Sequence, residues 1–165
     1  MEEIKEEFCN LLEQNINQIG RSDIKIILGD FNAKVGIESI YKPTIGNESL
    51  CNENNNNGTK MIHFAISNGL HVRSTTFPHK DIHKETWYSA DGRTAYQIDH
   101  VLITNTFRSA IADIRILRGP DIGSDHNSLK INFKVKLRVK IGNKYNEKRK
   151  MVNIFIIQSG NKNML

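Results

Sequence analysis

Over the first twenty residues, Ile4, Phe8, Leu11, Leu12, Ile16 and Ile19 recur at helical spacing, with acids and amides between them. This predicts an amphipathic helix over 3–19 with one apolar face. Glu2, Glu3, Glu6 and Glu7 place negative charge at its N-terminus, where the helix dipole favours it, and Gly20 fits a stop. Residues 24–28 are short, β-branched and bounded by turn formers, which predicts a buried strand ending at Gly29. From Lys34 to Gly58 the period disappears, and the run from Asn52 to Asn57 reads as a flexible loop. Thr59 is placed to cap a short helix through Met61, Ile62, Phe64, Ala65 and Ile66, closed by Asn68-Gly69. Strands are predicted at 72–77, 86–89, 98–104, 111–117 and 129–138, with turns at Asp91-Gly92 and Gly119-Pro120. Helix, strand, helix and then a strand series argue for a mixed α/β layered fold. Beyond Val139 the pattern degrades into a basic stretch without a clear period, although 152–157 reads as a further strand.

Composition changes this picture little. The 165 residues are at most one domain, and 38% hydrophobic with 25% charged residues reads as globular rather than disordered. No run approaches the roughly 18 consecutive apolar residues that a membrane-spanning helix needs. The acidic N-terminus does not resemble a secretory signal. Cys9 and Cys51 lack metal or disulfide spacing, which points to a reducing, intracellular compartment. Charge is more informative. From Lys134 onward nine Lys or Arg face one acid, so the overall +5 resides in the C-terminal segment. Such a segment can contact nucleic-acid phosphates or act as a nuclear address, and a solvated lysine-rich tail is the plainer alternative.

Three polar knots interrupt the apolar pattern where strands should meet solvent: Gly29-Asp30-Phe31-Asn32, Gln97-Ile98-Asp99-His100 and Gly123-Ser124-Asp125-His126. In extended geometry Asp30 and Asn32 point the same way while Phe31 points to the core. Alternation sends Asp99 and His100 to opposite faces. Asp99 is the better site candidate, because a buried carboxylate needs a partner, and His100 reads as a partly exposed surface residue. In the third knot Asp125 can ligate or orient a divalent cation while His126 faces a phosphate, with Asp99 fixing the imidazole tautomer. Any one knot alone reads as an ordinary strand cap or surface turn. Together they point to hydrolysis at phosphorus.

The order of residues 26–36, then Thr86-Trp87-Tyr88-Ser89, then Gln97-Ile98-Asp99-His100, then 119–126, resembles the endonuclease/exonuclease/phosphatase superfamily. The similarity is greatest to endonuclease domains of non-LTR retrotransposons and to craniofacial development protein 2-like sequences. It runs from the first helix to about Lys136. The resemblance implies part of a four-layer α/β sandwich whose N-terminal half is missing. Residues 1–139 would be its C-terminal part and 140–165 a basic tail, with disorder as one alternative. It also implies divalent-metal-dependent phosphodiester hydrolysis of DNA. In the roles it implies, Asp30 positions or activates water, Asn32 orients phosphate and water, and Asp99 holds the catalytic His126. Asp125 is a metal-side acid, Asn57 a substrate-binding residue, and Thr86 and Trp87 support the site.

The departures count as well. The family's first half supplies a strand ending in Asn, a metal-binding Glu and a Tyr near the phosphate, and nothing before Asp30 matches them. The expected consequence is weakened affinity for Mg²⁺ or Mn²⁺ and impaired hydrolysis. Tyr96 stands where relatives usually carry Asn, and Ala90 where they often carry Pro. Half a sandwich also leaves a sheet face uncovered, which predicts self-association through it. The alternatives are a non-catalytic remnant that binds nucleic acid or a protein partner, and a phosphatase acting on small phosphoesters.

Overall fold

The computed structural model describes the backbone of residues 2–20, 23–117, 124–141 and 144–156, with side chains for 6–20, 23–117 and 124–134. The chain begins with α1 (Glu2–Gln18), followed by β1 (Ile26–Asp30), a 3₁₀ turn (Ser39–Tyr41) and α2 (Asn56–Ser67). Short strands β2 (Leu70–Val72), β3 (Trp87–Tyr88) and β4 (Ala95–Tyr96) lead into β5 (Asp99–Thr104) and β6 (Ile111–Leu117). A long hairpin of β7 (Ser128–Ile141) and β8 (Lys144–Ile156) follows. One sheet has the order β1-β5-β2, a second β6-β7-β8, and β3-β4 is a separate ribbon. Every pairing within them is antiparallel.

The alternation of β5 generates the layers. Leu102 turns to one face of the first sheet, where it packs with Ile16 of α1 and with Met61, Ile62 and Ala65 of α2. Val101 and Ile103 turn to the other face and meet Ile114 and Ile116 of β6 and Leu129 and Ile131 of β7. The described residues therefore stack as helices, sheet, sheet, which is the mixed α/β sandwich expected from the sequence. Both helices and the strand at 111–117 lie where the periodicity places them.

Several local expectations fail for identifiable reasons. β1 has one strand neighbour among the described residues and no fully buried residue, so it is an edge strand rather than a buried one. The strand expected over 72–77 ends at Val72 and becomes a 3₁₀ turn, Arg73–Thr75. There Thr75 Oγ1 donates to the Val72 carbonyl (2.7 Å) and accepts from Gly46 N (2.7 Å), so local hydroxyl bonds replace the ladder. The predicted cap Thr59 lies inside α2, and the helix is capped by Asn55, whose Oδ1 accepts from Gly58 N at 2.7 Å.

The asparagine run is engaged rather than loose. Asn54 bonds Gly36 N and Glu38 Oε1, and the loop it closes carries the fully buried Ala33 and Val35. The strand expected at 129–138 runs to Ile141 and pairs with Lys144–Ile156, so much of the basic stretch has strand backbone. The turn at Gly119-Pro120, Gly123 and residues 157–165 lie outside the described residues.

Candidate active site

The register of β1 against β5 ends with Gly29 opposite His100 and Asp30 opposite Asp99. Two carboxylates thus face each other across the last rung, an arrangement that like-charge repulsion disfavours unless a cation lies between them. Asp99 shares its face with Val101 and Ile103, the side on which the second sheet and the 124–128 segment approach. That segment is fastened along β3. His126 forms a bridge with Trp87, Tyr88 N donates to the Asp125 carbonyl (3.1 Å), and Asn127 N donates to that of Thr86 (2.8 Å). Ser124 Oγ accepts from His126 N at 3.1 Å and tightens the turn.

His126 lies between the two acids. Its Nδ1 lies 3.0 Å from Asp99 Oδ2 and its Nε2 lies 3.8 Å from Asp30 Oδ2. The hydrogen bond with Asp99 holds the imidazole above its ordinary value of 6.5, with the charges of Asp99, Asp30 and Asp125 adding to the effect against desolvation. Burial pushes the Asp30 carboxyl up, aided by Asp99 and Asp125 and opposed by the Asn32 amide and by His126. Asp99 is 6% exposed, and its Oδ1 is buried without a hydrogen-bond partner in the structure. Its backbone is fixed by Thr86, whose Oγ1 accepts from both Ile98 N (2.9 Å) and Asp99 N (3.1 Å).

Asn32 departs from its expected geometry. β1 ends at Asp30, and Asn32 adopts φ 46°, so its side chain and that of Asp30 are not related by strand alternation. Left-handed backbone is uncommon outside glycine, with Asn among the residues that tolerate it best. Here it is held from both sides. Asn32 N donates to Asp30 Oδ1 (2.8 Å), and the Asn32 carbonyl accepts from Asn55 Nδ2 (3.2 Å) and Asn57 Nδ2 (3.0 Å). Asn57 therefore reaches the site by supporting the Asn32 turn. Phe31 packs on the helix-side core as expected.

His100 is not a surface residue. It is 1% exposed, and its Nε2 donates to the Ala33 carbonyl (2.8 Å) while Nδ1 accepts from Ser74 Oγ (2.8 Å). Burial pushes its pKa down, so it is a neutral tether that ties the chain after Asn32 to the end of β5. Sequence reasoning missed His100, Ser74 and Asn55 as site supports. The available signal was His100 itself, a polar residue on the inner face of an apolar strand, which must find buried partners.

The residues present do not fit a divalent cation. Asp99 Oδ2 is taken by His126, Asp30 Oδ1 by Asn32 N, and Asp125 Oδ2 by the indole N–H of Trp87 at 2.9 Å. Among the described residues no three His, Cys, Asp or Glu side chains converge to hold a metal ion. A hard cation needs several oxygens at once, and here an imidazole occupies the space between two of the acids. Asp125, expected on the metal side, accepts from the Trp87 indole here.

Three-layer stacking, the Asp30–Asp99 rung and the histidine between them agree with the resemblance to the endonuclease/exonuclease/phosphatase superfamily read from the sequence. No family model matches the chain. Its sequence relatives include craniofacial development protein 2 of Bos taurus and of Tragulus javanicus, each 35% identical over 117 residues and 71% of this chain. The chain spans about a fifth of their length, 19% and 20% respectively. Among solved structures, the 3′ phosphatase NExo from Neisseria, bound to a product DNA hairpin, superposes with a TM-score of 0.54 at 21% identity. That match covers 79% of this chain and 53% of the other, and the likeness is one of fold. The endonuclease domain of TRAS1, a telomere-specific non-LTR retrotransposon, gives a TM-score of 0.49 at 19% identity over 75% of this chain and 47% of the other.

Proposed function

We propose that the Asp30–His126–Asp99 cluster is a site for hydrolysing phosphodiester bonds in DNA. The observation that carries this reading is one imidazole poised between two carboxylates at 3.0 and 3.8 Å. Asp99 keeps His126 oriented and charged, so the Nε2–H is available to a phosphoryl oxygen and stabilises the charge that develops there. Asp30 has a partly exposed carboxyl whose ionisation is already disfavoured, and it acts as the base that takes a proton from water. Asn32 and Asn57 hold the turn that aims it. No step here is routed through Mg²⁺, because no three His, Cys, Asp or Glu side chains converge among the described residues.

The lack of such a converging set also favours a second reading, a chain that binds nucleic acid without cutting it. The basic C-terminal segment would then contact phosphates, with nuclear import as a further use of the same charge. Self-association through the open edge of β1 belongs to the same proposal. Supercoiled plasmid incubated with the whole chain separates the readings, with Mg²⁺ and with EDTA as parallel arms. Nicking that falls by about 10²–10⁴-fold in His126→Ala supports hydrolysis at this site. Equal nicking by the variant sinks the assignment, and no nicking by either leaves the binding reading.

A further inference from the structure

The end of the first sheet remote from the histidine cluster gathers positive charge around a buried imidazole. His71 of β2 pairs with Ile103, which lies about 13 Å along β5 from Asp99. Directly opposed residues share a face, so His71 turns with Ile103 toward the second sheet. It is 6% exposed, and its Nδ1 is buried with no hydrogen-bond partner in the structure. A ring nitrogen left unpaired in a buried setting costs stability in either tautomer.

Two arginines are fixed around it. Asn105 N donates to the Gly69 carbonyl (2.9 Å), which pins the 3₁₀ turn Asn105–Ala110 beside the start of β2. The Ile111 backbone then joins both arginines. Its N–H donates to the Arg108 carbonyl, and its own carbonyl accepts from Arg73 Nη2 at 3.1 Å. Arg73 lies over the Phe77 ring, 4.5 Å from the centroid, and its Nε is buried without a partner. Arg108 is exposed and bonds the backbone and side-chain oxygens of Asn105. Every one of these acceptors is uncharged. Asp113, two residues along β6 from Ile111, is taken by His79 and Arg115 at 2.6 Å each. Burial, then the charges of Arg73 and Arg108, push the His71 imidazole down to about 4. Burial and Arg108 lower Arg73 as well. The fold thus holds like charges beside two unpaired buried nitrogens, an arrangement that a bound anion relieves.

We propose that His71, Arg73 and Arg108 form a binding site for a compact phosphate-type dianion, separate from the histidine cluster. The anion accepts from both guanidinium groups, whose forked donors match tetrahedral oxyanions, and from His71 Nδ1–H as a neutral donor. Arg108, exposed and held by Asn105 of its own turn, reorients onto the ion as it enters. His71 Nδ1 and Arg73 Nε lie below the surface, which suits a small ion rather than a nucleic-acid strand. None of this depends on the phosphodiester reading.

Titrating the whole chain with inorganic phosphate at fixed ionic strength tests the site by NMR and thermal melting. The ring-proton signals of His71 should move to saturation, and the melting temperature should keep rising with phosphate above the dissociation constant. Arg108→Met keeps the aliphatic stem and should weaken phosphate roughly tenfold or more, the loss of one charge-assisted hydrogen bond. Arg73→Met should weaken it at least as much, and His126→Ala should bind as the parent does.

If Arg73→Met does not fold, Arg108→Met and the His71 signals carry the test. His71 signals that stay in place overturn the site, as does an Arg108→Met affinity equal to the parent's. A melting rise of the same size in the parent and in Arg108→Met is the general stabilising effect of phosphate, and it overturns the site too. Affinity lost in His126→Ala but kept in Arg108→Met would put the phosphate at the histidine cluster instead. An oligothymidylate that moves the His71 signals as far as phosphate does would likewise refute a site for a small ion.

Discussion

The largest influence on the His126 imidazole is its hydrogen bond with Asp99, and this makes Asp99 the most informative single position. Asp99→Asn keeps shape and removes the strongest cause of the raised imidazole pKa, so the folded-state value should move back toward 6.5. Following the His126 ring proton by NMR across pH measures that directly. The stability consequence has a definite sign. A raised histidine pKa contributes stability that is complete below the unfolded value and is lost as pH rises through the folded value. The parent's melting temperature should therefore fall relative to that of Asp99→Asn as pH rises above 6.5, and a constant difference would contradict the pairing.

Asp30 behaves oppositely. Its raised pKa means that ionisation is disfavoured by folding, a cost that appears as pH rises through the ordinary carboxylate value and persists at neutrality. Asp30→Asn retains an oxygen to accept from Asn32 N and removes the charge opposite Asp99. It should raise the melting temperature at pH 7 while abolishing nicking, the trade expected where a site holds like charges together. A lower melting temperature would show that the Asp30 charge stabilises the fold.

At the scale of elements, two hydroxyl and amide anchors decide where the site segments lie. Thr86 Oγ1 serves two amides at the start of β5, so Thr86→Val leaves both without a partner in a buried setting and should cost about 1–3 kcal/mol or more. Thr86→Ser should recover most of it, and denaturant unfolding measures the difference. Asn55 is the second anchor, with Oδ1 shared between Gly58 N and Lys34 N. Asn55→Ala removes the α2 cap and the loop clasp together, and should cost about 1–2 kcal/mol. Glycine is needed beside it, because a Cβ on Gly58 would collide with the Lys34 carbonyl.

These anchors show where the sequence was legible. Helical and strand periods placed α1, α2, β5 and β6, because each buries a face long enough to leave a repeating mark. The opposite facing of Asp99 and His100 followed from the same rule. What escaped was set by single long-range bonds that leave no period. Six successive polar residues at 52–57 all looked able to turn, and the Lys34 amide and the Asn32 carbonyl selected Asn55. Likewise Ser74 and the Ala33 carbonyl drew His100 inward from positions 26 and 67 residues away. The proximity of Asp30, Asp99 and His126 was suggested by resemblance, but their separations depend on the β1–β5 register and the His126–Trp87 bridge.

At the scale of the molecule, half of the large apolar side chains exposed among the described residues lie along the N-terminal segment, the others being Ile37, Ile40, Ile66 and Ile82. Phe8, Leu11, Ile19 and Ile24 are 48%, 57%, 42% and 44% exposed, all on α1 or the segment leading into β1. The outer edge of β1 has no strand beside it among the described residues. An open edge next to an apolar helix face is a template for pairing with another chain, since backbone donors and acceptors line one border and burial drives closure at the other. A second copy can supply both at once through a two-fold contact. Each large side chain fully buried there would contribute about 1.5–3 kcal/mol before the cost of association. Sedimentation should accordingly show the apparent mass rising above 18.9 kDa with concentration. Phe8→Glu with Leu11→Glu should return it to monomer, because both changes put charge on that helix face. A chain that stays monomeric throughout would show that the open edge and the apolar helix face are not self-complementary.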